Sequence, residues 1–463
     1  MEGAELVFRR QPNGCKGAFL CPQAIGPSMP EAVFDPVADS RHRLGVSALE
    51  AQLLFGFTSA VLFVVLLANQ THIETDDAVK LARFPELAVR LIGTALAGLL
   101  GLYGVLFIGR VQASLFRFPA IWVLGIAICY LMATVAAAEK GTAVSHLIAF
   151  TSVFLFTPTA LAILGTRRFF EIALASFLLT MIFSWLLYFL MPAYGMKLEG
   201  IDDAGGTMQR MSGTSHPNTL AGIAGFAMLI VSGFLYSKSI RWRVALPLIL
   251  FCLATLFLCR TRVAPIAVVV SLAVVFRGVW LRRDTFPYAM VMVGIGLLMS
   301  LAVLINSSGM LEAFAERFAR SGEVEELTSV TGRNKIWAFV IEKIQASPLV
   351  GYGPGAAKNI LAKEELLLHP HNVVLAVSIA GGALAGGFAI MMFLQQTWMS
   401  LRRAIPLIAL ISVFIFLNSL TETFIFGYFP GSSTIMWLAA LYWFDLDDES
   451  LAPADVMEPR SPP

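Results

Sequence analysis

Charge is scarce in this sequence. Asp, Glu, Lys and Arg together make up 14% of its 463 residues, against about 25% in a soluble domain. That excludes an ordinary water-soluble globule. The formal net charge is only +2, so no basic field argues for a nucleic-acid partner. Cysteine is thin as well, with five residues at positions 15, 21, 129, 252 and 259 and no Cys-x-x-Cys pair. Neither a zinc site nor a disulfide framework follows from that spacing. The first 50 residues lack the basic start, short apolar core and small-residue cleavage site of a signal peptide. They read as a polar tail punctuated by Pro22, Pro27, Pro30 and Pro36.

What is abundant is apolar surface. Hydrophobic residues make up 57% of the chain and the mean hydropathy is +0.75. A bilayer core about 30 Å thick needs about 20 apolar residues per helix, and such windows recur throughout. The pattern predicts an all-α polytopic membrane protein with about twelve spans: 51–68, 90–109, 118–138, 146–165, 169–191, 217–236, 244–259, 263–277, 286–305, 372–397, 405–421 and 424–443. The pair 244–259 and 263–277 reads as two spans, because Arg260-Thr261-Arg262 would be costly at a bilayer centre. The expected organisation is a cytoplasmic tail (1–50), nine spans (51–305), a long outer loop (306–371), three spans (372–443) and a second cytoplasmic tail (444–463).

Sidedness follows from the basic residues. Alternate loops carry Arg110 and Arg117, Arg167 and Arg168, Lys238, Arg241 and Arg243, Arg277, Arg282 and Arg283, and Arg402 and Arg403. These short basic loops are expected inside, with both termini. The others hold acids such as Glu74, Asp76, Asp77, Glu199, Asp202 and Asp203, and are expected outside. The outer loop 306–371 is too long for a plain connection. Ile336, Trp337, Val340, Ile341 and Ile344 recur at helical spacing, with Thr331 placed to cap and Pro348 to stop the helix. Gly351, Gly353 and Gly355 around Pro354 mark a tight turn, and a second helix is expected over 356–367. Leu311, Phe314 and Phe318 suggest another. The loop therefore reads as a helical cap on the outer membrane surface.

Polar residues in the expected outer segments are the candidates for chemistry. Arg260 and Arg262 sit between two spans with no acidic neighbour. Helix-end snorkelling would explain them, but two guanidinium forks in one turn suit a bound phosphate. Arg317 and Arg320 lie among Glu316, Glu323, Glu325 and Glu326, and read as a solvated network. Arg333 falls in the first turn of a predicted helix, where a cation opposes the dipole and a bound anion is favoured. In "HPHN" at 369–372, His369 reads as a polar cap, whereas His371, beside Asn372 at the helix mouth, can be held rigidly enough to take a hydroxyl proton. A second outer stretch, "SGTSHPNTLAG" preceded by Arg210, offers Asn218 as a helix cap and His216 toward the same cavity. Glu422, in "NSLTETFIF", needs a partner at that depth and suits orienting an arginine or histidine, or direct chemistry.

Taken as an ordered set, the Cys-Arg-Thr-Arg turn, "GRNKIWAF…SPLVGYGPG" and "HPHNVVLAVSIAGG" resemble the O-antigen ligase and polysaccharide polymerase superfamily over roughly 210–425. The resemblance implies a GT-C-like membrane glycosyltransferase. The family's turn arginine falls on Arg260 if Cys259 stands for its serine, or on Arg262 if Thr261 does. Its loop arginine falls on Arg333 and its histidine on His371. The His-Asn-x9-Gly pattern places its glycine at Gly382, with Ala385 where glycine, threonine or valine is usual. The implied catalytic set is His371, Arg333 and Arg260, with Arg262, Asn372, His216, Arg210 and Glu422 toward substrate.

The implied donor is an undecaprenyl-diphosphate-linked glycan, and the acceptor a glycan or lipid A-core, at the outer face of a bacterial inner membrane. No cofactor or divalent metal is expected, since no Asp-x-Asp occurs in the outer loops. Ligase and repeat-unit polymerase both fit. The rival is a transporter or flippase of an anionic or lipid-linked substrate. Transporters put ionisable groups near the midplane, whereas here charges sit at the rims. A non-catalytic scaffold would leave Arg260, Arg333 and His371 without a role.

Overall fold

The computed structural model describes residues 47–68, 83–200, 207–261, 263–280, 333–364, 369–402, 405–423, 425–426 and 430–446. In chain order these form α1 (Ala48–Ala68), α2 (Arg83–Phe107), α3 (Gly109–Leu115), α4 (Ala120–Ala136), α5 (Lys140–Leu164), α6 (Thr166–Leu190) and the single turn α7 (Pro192–Gly195). A hairpin of β1 (Met196–Gly200) and β2 (Thr207–Met211) follows. The rest is α8 (Pro217–Tyr236), α9 (Trp242–Leu258), α10 (Val263–Trp280), α11 (Arg333–Ala346), α12 (Ala356–Lys363), α13 (Val373–Arg402), α14 (Pro406–Ser419) and α15 (Ser432–Leu446).

The chain is a mostly helical polytopic membrane protein. Among the described residues, six helices are long and apolar enough to cross a bilayer: Ala48–Ala68, Ala88–Phe107, Lys140–Leu164, Thr166–Leu190, Pro217–Tyr236 and Val373–Arg402. The bent pair α3 and α4, at 73°, makes up to a seventh, and α9, α10 and α14 are shorter apolar helices. Apolar helices thus stand at eleven of the expected span positions. The expected span 286–305, the arginines 317 and 320 and the stripe at 311–318 lie outside the described residues.

Four expectations are corrected. The short helix α3 fills the expected loop after residue 109. α15 starts at Ser432 rather than 424, because Pro430 and Gly431 precede it and Pro cannot extend a helix ladder. The second cap helix ends at Lys363 rather than 367. The fold is also not purely helical, since β1 and β2 pair antiparallel with Lys197 opposite Arg210. Met196 and Leu198 alternate there with Lys197 and Glu199, the period of a strand.

Apolar surface does not drive helices together inside a bilayer, where close packing takes over. α2 meets α5 through Gly98, Gly101 and Gly104, set against Ser152, Leu155, Phe156 and Thr159. A Cβ on Gly101 would lie 2.7 Å from the Phe156 backbone nitrogen, so this contact is glycine to backbone. One buried tryptophan is matched twice to a side-chain amide. The Trp437 indole donates to Gln396 Oε1 at 2.9 Å, and the Gln396 amide donates back to the Trp437 carbonyl at 3.4 Å.

The feature that positions the site is a break in α13. Gly382 leaves the helical conformation at φ 83° and ψ 173°. An interrupted ladder frees backbone groups that an apolar interior cannot hydrate. The turn after α11 supplies their partners. Tyr352 N–H donates to the Ile379 carbonyl at 2.9 Å, Gly353 N–H to Ala380 at 2.9 Å, and Ala383 N–H to Pro348 at 2.7 Å. At about 1.5 Å per residue, Ala380 lies about 10 Å along α13 from Val373. The loop is therefore more than a surface cap, because its glycine turn inserts against a membrane helix. Gly351, Gly353 and Gly355 have φ of 72°, 96° and 81°, as the turn reading required. A Cβ on Gly382 would lie 2.5 Å from the Leu349 carbonyl oxygen, and one on Gly351 2.6 Å from Gly382 N.

Gly101→Leu and Gly382→Ala should each lower thermal stability in detergent, by about 1–3 kcal/mol for the overpacked Gly101 and by a comparable amount for the strained Gly382. Gly56→Leu and Gly387→Ala, where an added Cβ meets nothing within 4 Å, should melt with wild type. Equal melting of all four variants would contradict the packing described.

Candidate functional site

The residues singled out in sequence come together where four helices end. Arg210, carried in by β2, is 2% exposed. Its Nε donates to the Cys259 carbonyl at 2.9 Å, at the end of α9, and its Nη2 donates to Asn218 Oδ1 at 2.6 Å, in the first turn of α8. Asn218 Nδ2 then donates to Glu422 Oε1 at 3.2 Å, just past α14. The other carboxylate oxygen, Oε2, stands 3.0 Å from His371 Nδ1, at the mouth of α13. A buried guanidinium needs hydrogen-bond partners, and this chain of side chains links it to a carboxylate and an imidazole.

The carboxylate sets the chemistry of the ring. An ionised carboxylate only accepts hydrogen bonds, so His371 Nδ1 carries the proton. Nε2 is then the nitrogen with a lone pair. The ring is fixed from the backbone side too. His371 has φ 51°, a conformation that costs a non-glycine residue roughly 1–2 kcal/mol. It is flanked by two anchors. The Trp337 indole of α11 donates to the Pro370 carbonyl at 2.9 Å, and Asn372 caps α13 through its Oδ1, which accepts from Leu375 N–H at 3.0 Å. Asn372 Nδ2 also donates to the Leu420 carbonyl at 3.0 Å, tying the mouth of α13 to the end of α14.

Two expected roles change places. His216, not Asn218, caps α8, with Nδ1 accepting from Asn218 N–H at 3.2 Å. Asn218 instead bridges Arg210 to Glu422, because the cap leaves its side chain free to do so. Asn372 and Arg210 were expected on substrate. In the structure Asn372 is a cap and Arg210 is buried among protein partners. The "SGTS" stretch tucks under α6, where Thr214 Oγ1 and Ser184 Oγ lie 2.9 Å apart. Gly213 is required there, since a Cβ would come within 2.5 Å of the Ser184 backbone.

The remaining arginines divide. Arg260 follows Cys259, the C-cap of α9, with φ 49°. Lys238 has the same conformation after α8, so this backbone alone is a helix ending. The Arg260 side chain is exposed, and among the described residues no hydrogen bond or ion pair engages it. It is adjacent to Cys259, whose carbonyl holds Arg210. Arg333 opens α11 one turn before Trp337, so its backbone is tied to the histidine mouth through the Trp337–Pro370 bond. The Arg333 side chain and Arg262 lie outside the described residues. Sequence reasoning underrated Trp337 and His369. Trp337 passed for an apolar stripe residue, and the His369 ring lies 3.9 Å from that of His371. His369, His371 and Glu422 also place their donor atoms within 4.8 Å of one another, close enough to converge on one cation.

Comparison with known proteins matches part of the chain that carries this site. Residues 246–390 match the family model described as O-Antigen ligase. The matched segment runs from α9 through α10 to beyond the break in α13. It contains Arg260, Arg333, His371 and Gly382. It starts after Arg210 and Asn218 and ends before Glu422, so three members of the hydrogen-bonded chain lie beyond it and His371 lies within. No curated protein matches the chain. Over residues 246–390 this membrane protein is therefore similar to the O-antigen ligase family.

Proposed function

We propose that the protein transfers a glycan from an undecaprenyl-diphosphate donor to a sugar hydroxyl at the outer face of a bacterial inner membrane. The observation that carries this reading is the 3.0 Å contact between His371 Nδ1, inside the family-matched segment, and Glu422 Oε2 beyond it. With Nδ1 committed to the carboxylate, Nε2 accepts the proton as the acceptor oxygen attacks the anomeric carbon. The carboxylate then stabilises the imidazolium that forms. Attack opposite the departing diphosphate inverts the anomeric centre. No metal is needed for this step, because arginines can stabilise the charge on the leaving lipid diphosphate.

Arg260 is the best placed described arginine for that role, being exposed and engaged by no side-chain hydrogen bond or ion pair among the described residues. Arg333 and Arg262 complete the proposed anion clamp. Arg210 is assigned to positioning, since its guanidinium already holds Cys259 and Asn218. Sidedness is supported by α8, α9 and α13. Each has a site residue near one end and Lys238, Arg241 or Arg402 near the other, and basic ends are retained inside. Both termini are then cytoplasmic.

In a strain lacking the gene, complementation with His371→Ala at matched membrane levels should lower surface glycan transfer by at least about 100-fold. Arg260→Ala and Arg333→Ala should lower it as well. Accumulated long lipid-linked chains with bare acceptor identify a ligase, and a single lipid-linked repeat unit identifies a polymerase. Normal glycan from all three variants would refute the catalytic reading and favour transport of a lipid-linked substrate.

A further inference from the structure

The polymer-transfer reading uses one imidazole and one carboxylate, but the site holds a second imidazole that it leaves idle. We propose that His369, His371 and Glu422 form a binding site for a borderline-soft divalent cation, with Zn²⁺ as the fitting ion, and that its occupancy switches transfer off. The switching half rests on the role given above to His371, whereas the binding half does not.

Three observations carry the site. The first is donor chemistry. Two imidazoles and a carboxylate are the set found around zinc sites that keep an open position, whereas oxygen-preferring cations such as Mg²⁺ favour all-oxygen shells. The second is convergence. The donor atoms lie within 4.8 Å of one another, with 3.0 Å between His371 Nδ1 and Glu422 Oε2. Ligand atoms about 2.0–2.1 Å from a tetrahedral ion stand about 3.3 Å apart, so small side-chain rotations close the site. The third is support behind the ligands, which metal sites use to fix orientation. Glu422 Oε1 is held by Asn218 Nδ2 at 3.2 Å, and Asn218 is held in turn by Arg210 at 2.6 Å. The His-Pro-His segment is anchored by Trp337 on the Pro370 carbonyl at 2.9 Å.

Occupancy silences the base for a reason independent of which nitrogen binds. A neutral imidazole has one ring nitrogen with a lone pair and one that carries a proton. Once a metal takes the lone pair, the other nitrogen is an N–H and has nothing with which to accept a proton. An ion bound at Nδ1 takes the place of the proton shared between His371 and Glu422, and that proton moves to Nε2, so the neutral ring keeps one N–H. Removing the ion restores the Nδ1–Glu422 contact and the free Nε2 lone pair.

The test uses tag-free full-length protein in detergent, Zn²⁺ alone as the probe, and equilibrium dialysis read by elemental analysis. Wild type should bind one ion per chain, and Co²⁺ in its place should give the intense visible bands of a tetrahedral site. His369→Ala, His369→Gln and Glu422→Gln should each weaken binding at least tenfold. His216→Asn, which keeps a helix cap outside the ligand set, should bind as wild type. Stoichiometric Zn²⁺ should suppress glycan transfer by wild type, and a chelator should restore it. His369→Gln should need at least tenfold more Zn²⁺ for the same suppression. Wild type without a bound ion, or ligand variants that bind as tightly as wild type, would overturn the site. Full transfer by zinc-saturated wild type would overturn the switch. Zinc bound at the three ligands in a protein whose metal-free form transfers no glycan would support the site and refute the transfer reading.

Discussion

A helix that breaks inside an apolar bundle must find partners for the N–H and C=O groups it releases. Most of what is particular to this protein depends on how α13 meets that requirement at Gly382. Its freed groups pair with the backbone of residues 348–353, which fixes the glycine turn and, through it, α11. Ile336 and Val340 of α11 pack with Ile379 of α13 and Leu361 of α12 in a small separate core. Trp337 on the same helix reaches the Pro370 carbonyl, which sets the backbone just before His371. The break in the helix and the placement of the imidazole are thus two ends of one structure. The glycines at 351 and 382 are required at its centre, since each has a positive φ and each Cβ would strike the other segment's backbone.

From the other side the imidazole is set by electrostatics. Glu422 stands between His371 and Asn218, and Asn218 stands between Glu422 and the buried Arg210. Each member satisfies the next, so Asn218 links a cation to an anion at the end of an apolar bundle. Arg210 reaches the site because a hairpin, not a bare loop, carries it there, opposite Lys197 in the strand register. Its bond to the Cys259 carbonyl also ties the end of α9, and so the neighbouring Arg260, to the same cluster. The zinc site proposed here draws on the same carboxylate, which gives Glu422 two mutually exclusive partners for His371.

Much of this was legible in the sequence, for definite reasons. Long apolar runs mark helices because a bilayer demands them, and His371, Arg210, His216 and Glu422 stood out because polar residues at such helix ends are costly unless used. The turn glycines were legible because little else tolerates positive φ. What was hidden depended on partners far away in the chain. Nothing local distinguishes Asn218 as a bridge from Asn218 as a cap, since both roles need the same side chain in the first turn of α8. Trp337 looked like core because its ring is apolar, and its N–H gains meaning only once Pro370 is beside it. The hairpin was missed because five-residue strands carry little periodic signal. The insertion of 348–353 into α13 was missed because backbone pairing leaves almost no trace in side-chain identity.

The central claim is that the Arg210–Asn218–Glu422 chain holds the His371 ring for proton transfer. The most direct measurement is steady-state transfer by purified, metal-free protein in proteoliposomes, with an undecaprenyl-diphosphate-linked glycan donor, comparing wild type with Asn218→Ala. Asn218 is one residue removed from the imidazole, so loss of positioning should lower kcat at least about tenfold, while KM for the donor changes less than about twofold. An Asn218→Ala protein with wild-type kcat, or one whose loss lies wholly in donor KM, would contradict the account.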